Sequence, residues 1–267
     1  MKKILVITWF YPPVNSSEGL VTYKLLNNSK YEYDVFTQKN SASWSYGNKD
    51  NLENNKNIDC IFAKSNNLKD WKKEAIKYFK ENKNKYDVVM TRSMPPESHE
   101  IGIKIKKIKP SIKWIASFGD PIANNPYVSL TKKIDHTRFL IRVKRFPKTL
   151  ARNMLRKYVT ENPIENKTIK YSDMIIFNSI EQQKYMLGNK KKESIVLAHS
   201  YYDKLYPKNV KKFDDKIHIT YIGHLDKIRT PKLLLEAVRE LKQADTNLFE
   251  KLEVDFYGNL CTDDKLY

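Results

Sequence analysis

Residues Ile217 to Leu241 run IHITYIGHLDKIRTPKLLLEAVREL. A short β-branched and aromatic run, Ile217, Ile219, Tyr221 and Ile222, stops at Gly223, crosses a polar and basic loop, and restarts at Pro231 with apolar residues at helical spacing, Leu234, Leu235, Val238 and Leu241. The pattern predicts strand, loop, helix. Pro231 suits a first helical turn, because the N–H it lacks is one the helix leaves unbonded and its φ is already helical. The loop then delivers the chain to a helix N-terminus, where unbonded N–H groups and the dipole favour an anion, and Arg229 stands ready to add a full positive charge. These residues fit a phosphate site, and they fit an ordinary βα unit with a solvated arginine equally well.

Working outward, the same alternation recurs. Lys2–Phe10 (KKILVITWF) is a nearly continuous apolar run, as a strand buried on both faces of a parallel sheet requires. Tyr11-Pro12-Pro13 ends it, and VNSSEG leads to a helix beginning near Gly19, where backbone can approach a ligand with no Cβ in the way, or where glycine merely punctuates a turn. Strands are expected at Tyr33–Thr37, Asp59–Ala63, Tyr86–Thr91, Lys113–Phe118, Asp173–Asn178, Ile195–Ala198 and Glu253–Gly258. Amphipathic helices are expected at Leu68–Asn82 and from about His99 to Lys107, and Ser179 with Gln182 fits a capping box opening another. The fold class is therefore α/β, with a doubly wound parallel sheet whose ligands sit at the carboxyl ends of the strands. Gly19, Arg92 and Asp120 each follow such an end.

Two stretches break the rhythm. Residues 131–158 hold ten Lys or Arg against one acid, Asp135, with Phe139, Val143, Phe146, Leu150 and Met154 recurring among them. This basic helical insertion matches a segment lying on an anionic membrane surface, and also a helix packed on its own domain with a solvated basic face. Residues 206–216 are polar and read as a linker. Domains of 1–210 and 211–267 follow, the second holding only a partial βαβ unit.

The chain has 267 residues and a net charge of +18, with 40% hydrophobic and 12% aromatic residues. It can supply real cores, and no run approaches the ~20 apolar residues of a membrane span. No signal-peptide pattern opens it, so a cytoplasmic location, peripheral on the inner face of the membrane, is expected. Cys60 and Cys261 lack metal-ligand spacing and are expected to be reduced thiols. The charge alone invites nucleic acid, yet no RNA-binding or zinc pattern accompanies it, and no nucleic-acid partner is expected. Walker, dinucleotide, zincin, nucleophile-elbow and Asp-x-Asp motifs are all missing.

Taken in order, KILVITWFYPPVNSSEGLVTYKLL, YDVVMTRSMPPESH, WIASFGDP, SDMIIFNS, IVLAHSYYDKLYP and IHITYIGHLDKIRTPKLLLEAV resemble the GT-B glycosyltransferases of family 4. The resemblance implies two Rossmann-like domains, the first complete and the second partial. It implies transfer of a sugar, with retention, from a nucleotide diphosphate sugar to a surface polysaccharide or lipid-linked acceptor, without a metal or other cofactor. Gly223, Leu225 and Arg229 match the family's donor diphosphate loop, although His224 replaces the arginine common after the glycine. Glu18-Gly19 corresponds to the glycine loop near the donor phosphates, and Asp120 stands where the family places a catalytic His or Asp. Arg92 and His199 are further cleft candidates. Family members continue beyond this point to a Glu-x7-Glu motif, so the resemblance implies a truncated or split product. The alternative is a non-catalytic remnant or a partner subunit needing a separate donor domain.

Overall fold

The structure, a computed structural model, describes residues 3–14, 16–39, 55–123, 162–201, 215–225 and 229–258. The basic segment 131–158, Trp44, Tyr46, Cys261 and most of the 206–216 linker lie outside the described residues. Those described fall into two compact units, 3–123 with 162–201, and 215–258.

The first unit is built on β1 (Lys3–Ile7), β2 (Glu32–Thr37), β3 (Ile58–Phe62), β4 (Val88–Arg92), β5 (Lys113–Ser117), β6 (Met174–Phe177) and β7 (Ser194–Val196). All pair in parallel, in the order β3-β2-β1-β4-β5-β6-β7. Its helices are α1 (Ser17–Asn27), α2 (Leu68–Asn82), α3 (Glu97–Ile108), α4 (Asn162–Tyr171) and α5 (Ile180–Leu187).

The apolar run of β1 has the burial a two-faced sheet demands. Leu5 and Ile7 enter one core with Trp71 and Phe79 of α2, Ile101 of α3 and Phe118, while Val6 enters a second with Tyr23 and Leu26 of α1 and Val35. All three β1 side chains are fully buried, each stabilising by roughly 1.5–3 kcal/mol. Helix α2 buries Trp71, Ala75 and Phe79 at helical spacing and is capped by Asn67, which accepts from the N–H groups of Lys69 and Asp70. Ser179 caps α5 by accepting from Gln182 N–H, and the Gln182 side chain returns to accept from Asn178 N–H. That is the expected reciprocal cap, shifted one residue at its second bond. Helix α3 begins two residues before the expected His99, at Glu97, directly after Pro96.

The second unit contains β8 (Ile217–Ile222), α6 (Lys232–Ala244), α7 (Thr246–Glu250) and β9 (Leu252–Tyr257). β8 and β9 pair in parallel, Ile217 opposite Leu252 through Ile222 opposite Tyr257. No side chain of α6 is buried.

Candidate functional site

In the first unit the strand order places the switch point between β1 and β4, and that is where charged side chains converge. Helix α1 starts just after the β1 loop, capped by Ser16, whose hydroxyl accepts from Glu18 N–H at 3.2 Å. A Cβ on Gly19 would lie 3.3 Å from the Phe10 carbonyl carbon and from Tyr11 N, so glycine lets the first turn of α1 rest against that loop. Packing thus accounts for Gly19 by itself.

Glu18 projects from this turn to Arg92, the last residue of β4. Arg92 Nε donates to Glu18 Oε2 at 2.9 Å, with Nη2 also 2.9 Å away, and Nη1 donates to Ser117 Oγ at 2.9 Å. Arg92 is 2% exposed, so its charge is compensated inside the protein and it ties α1 to the ends of β4 and β5. Burial pushes the Glu18 carboxyl above its ordinary value; Arg92 opposes this, Asp120 adds to it, and His199 opposes it weakly. Glu18, Arg92, Asp120 and His199 therefore share one electrostatic neighbourhood.

The Phe118-Gly119-Asp120-Pro121 turn is held from several sides. Gly119 N–H donates to Ser93 Oγ at 3.0 Å, and its carbonyl accepts from Asn178 Nδ2 at 2.7 Å and Gln182 Nε2 at 3.2 Å. Glu165 Oε2 accepts from both Ile122 and Ala123 N–H at 2.9 Å. A Cβ on Gly119 would come within 2.5 Å of Glu18 Oε1, so only glycine leaves the carboxylate its place. The result is an exposed Asp120 on a rigid turn beside a buried ion pair. His199 is exposed after β7.

In the second unit, Gly223 and Gly258 end β8 and β9 and touch through their backbones. Gly223 N–H donates to the Tyr257 carbonyl at 2.8 Å. Gly258 has φ +152, and a Cβ there would lie 1.8 Å from Gly223 O, so no other residue fits. Beside this contact is a cavity of about 340 Å³ walled by Leu225, Pro231, Leu235, Phe256 and Tyr257. Pro231 sits at the N-cap of α6 rather than inside its first turn, and no side chain caps it, although Thr230 Oγ1 accepts from Lys232 N–H at 3.3 Å. Arg229 is exposed two residues earlier. The helix start that the sequence pointed to is thus present.

Sequence reasoning passed over Ser93, Ser117, Gly119 and Gly258, and took Gln182 only as a helix cap. Of these, Gly258 carried a usable signal: a second glycine ending the strand that follows a β-loop-α unit.

Solved structures with this arrangement are plentiful. The chain superposes on the trehalose-6-phosphate protein from E. coli bound with UDP-2-fluoro glucose with a TM-score of 0.54 at 8% identity, over 98% of this chain and 66% of that one. The apo lipopolysaccharide outer core galactosyltransferase WaaB gives 0.50 at 11% identity, over 97% and 69%. The UDP-N-acetylglucosamine 2-epimerase from Listeria monocytogenes gives 0.50 at 12% identity, over 96% and 62%. The chain has a GT-B-type α/β fold. It spans 62% to 69% of the length of these three neighbours. No family model matches the sequence, and no curated protein matches it significantly. At such identities the likeness is one of fold, and the fold serves transferases and an epimerase alike.

Proposed function

We propose that the chain is a glycosyltransferase, or the acceptor-side domain and first donor-side unit of one, acting with retention on a surface polysaccharide or lipid-linked acceptor. The observation that carries this reading is the exposed Asp120 held on a clamped turn at the carboxyl end of β5, within the electrostatic reach of Glu18. The donor would be a nucleotide diphosphate sugar at the Gly223–Arg229 loop. As the bond from sugar C1 to the diphosphate breaks, the leaving group takes the electron pair, and α6 N–H groups with Arg229 would stabilise the growing charge without a metal. The acceptor hydroxyl oxygen bonds to C1 on the face that the diphosphate leaves, which keeps the configuration, and its proton passes to Asp120. We assign donor-phosphate contact to Gly223 and Arg229; Gly19, expected to share it, is accounted for by the packing of α1 on the loop after β1.

Among the described residues no helix is long and apolar enough to cross a membrane. We assign attachment to the inner membrane face to the basic segment 131–158, through its lysines and arginines.

The test is a panel of UDP-, GDP- and ADP-sugars incubated with the chain and lipid-linked acceptors, with nucleotide diphosphate release and glycan product followed by mass spectrometry. Asp120→Asn should lower turnover by about 10²–10⁴-fold, and Arg229→Ala by roughly 10²-fold. Epimerised donor without transfer would replace this reading with an epimerase, and no consumption of any donor would refute activity of the chain by itself.

A second reading has its own observation. Ile222 is 80% exposed, Leu233 79% and Leu235 45%, which is the apolar surface of a unit built to be covered by more polypeptide. On that reading the chain is a partner subunit, and activity appears only when a separate donor-domain polypeptide is added.

A further inference from the structure

The second unit carries a cluster that the transfer chemistry does not use. His218 lies opposite Glu253 in the β8–β9 register, and Asp255 is two residues further along β9. Side chains two apart on a strand, and those in register across a pair, share a face, so all three project from the same side of the sheet. They are half-buried, and one donor atom from each comes within 4.8 Å of the other two.

Two carboxylates brought together beside an imidazole repel one another unless a cation joins them. Lys216 supplies part of that charge at the edge, with Nζ 3.0 Å from Glu253 Oε2. We propose that His218, Glu253 and Asp255 bind a single divalent transition-metal ion, zinc by preference, that cross-links β8 to β9.

The donor set selects the metal. An imidazole nitrogen with two carboxylate oxygens suits zinc and its first-row neighbours, whereas magnesium takes oxygen ligands and holds its waters. Ligand atoms around a tetrahedral zinc stand about 3.3 Å apart, so small side-chain rotations close the cluster on the ion, and water completes the fourth position. Lys216 competes for Glu253.

The position assigns the role. Asp255, the ligand nearest the loop, lies opposite Thr220, three residues and about 10 Å before Gly223, and His218 is about 16 Å away, so the ion does not contact a diphosphate at the loop. It staples β8 to β9 across their side-chain face, beside the backbone pairing that already joins them. This inference does not rest on the glycosyl-transfer reading.

The test uses the full chain, stripped with chelator and titrated with zinc chloride by calorimetry, with magnesium chloride as control. One zinc per chain is expected, absent in His218→Gln and Asp255→Asn, kept in His199→Ala, and bound more tightly in Lys216→Ala. Cobalt substitution should give the visible spectrum of a four-coordinate site, lost with His218. Circular dichroism confirms that each variant is folded, and if His218→Gln unfolds, Asp255→Asn decides. No saturable zinc binding, or binding that survives in Asp255→Asn and His218→Gln, overturns the proposal.

Discussion

Acidification from pH 7 to pH 5 should weaken the first unit through one residue, His99. The ring is fully buried on α3, its Nδ1 2.7 Å from Thr91 Oγ1 and its face edge-on to Phe118 at 4.5 Å between centroids. Trp114 Nε1–H donates to the same Thr91 oxygen at 2.9 Å, so the threonine hydroxyl links the imidazole to the indole. Nε2 has no hydrogen-bond partner, so a second proton would bring an uncompensated charge into an apolar pocket. Burial, with the nearby Arg92 charge adding to it, pushes the pKa down from 6.5 to about 3. A depressed pKa means that the unfolded chain takes up the proton first, so the stability is whole above 6.5 and drains away as pH falls toward 3. At pH 5 the loss relative to pH 7 is about 2 kcal/mol. Urea denaturation at both pH values should show His99→Asn losing about 2 kcal/mol less than wild type on acidification. Equal pH dependence in the two proteins, or an NMR titration of His99 near 6.5, would refute the reasoning.

Four substitutions probe other contacts. Gly102→Ala on α3 would place its Cβ 2.3 Å from the fully buried Trp114 ring, so overpacking should outweigh the helix-propensity gain and cost about 2 kcal/mol in urea denaturation. Gly19→Ala, whose Cβ has 3.3 Å contacts, should cost less than about 1 kcal/mol, whereas Gly258→Ala, at 1.8 Å from Gly223 O, should abolish calorimetric binding of a nucleoside diphosphate while leaving the first unit folded. Asp34→Ala removes the partner of Lys3 at 2.7 Å and of the buried Tyr86 hydroxyl; with Lys3 30% exposed, the expected loss in urea denaturation is about 1–2 kcal/mol.

The strands were legible because parallel strands buried on both faces must be apolar throughout, and KILVI, DVF and VVM announce themselves without any knowledge of their neighbours. The Ser179–Gln182 cap was legible because both partners lie within one turn. What stayed hidden depends on contacts across the chain. The environment of His99 is made by Trp114 and Phe118, at the far side of a helix and a strand. Gly258 looks like a strand end until the carbonyl of Gly223 is seen against it. Arg92 was correctly placed at a strand end, but its partner lies 74 residues away. The strand order supplies what the sequence lacks there. Because β4 adds beside β1, the end of β4 meets the helix that follows β1, and Glu18 compensates the buried guanidinium. Had β4 instead continued outward beyond β3, three strand spacings, about 14 Å, would separate β1 from β4. The arginine would then be a buried charge without an acid, a state that costs several kcal/mol. The Glu18–Arg92 pair is thus as much a selector of the β1–β4 junction as a product of it, and the site owes its location to that choice.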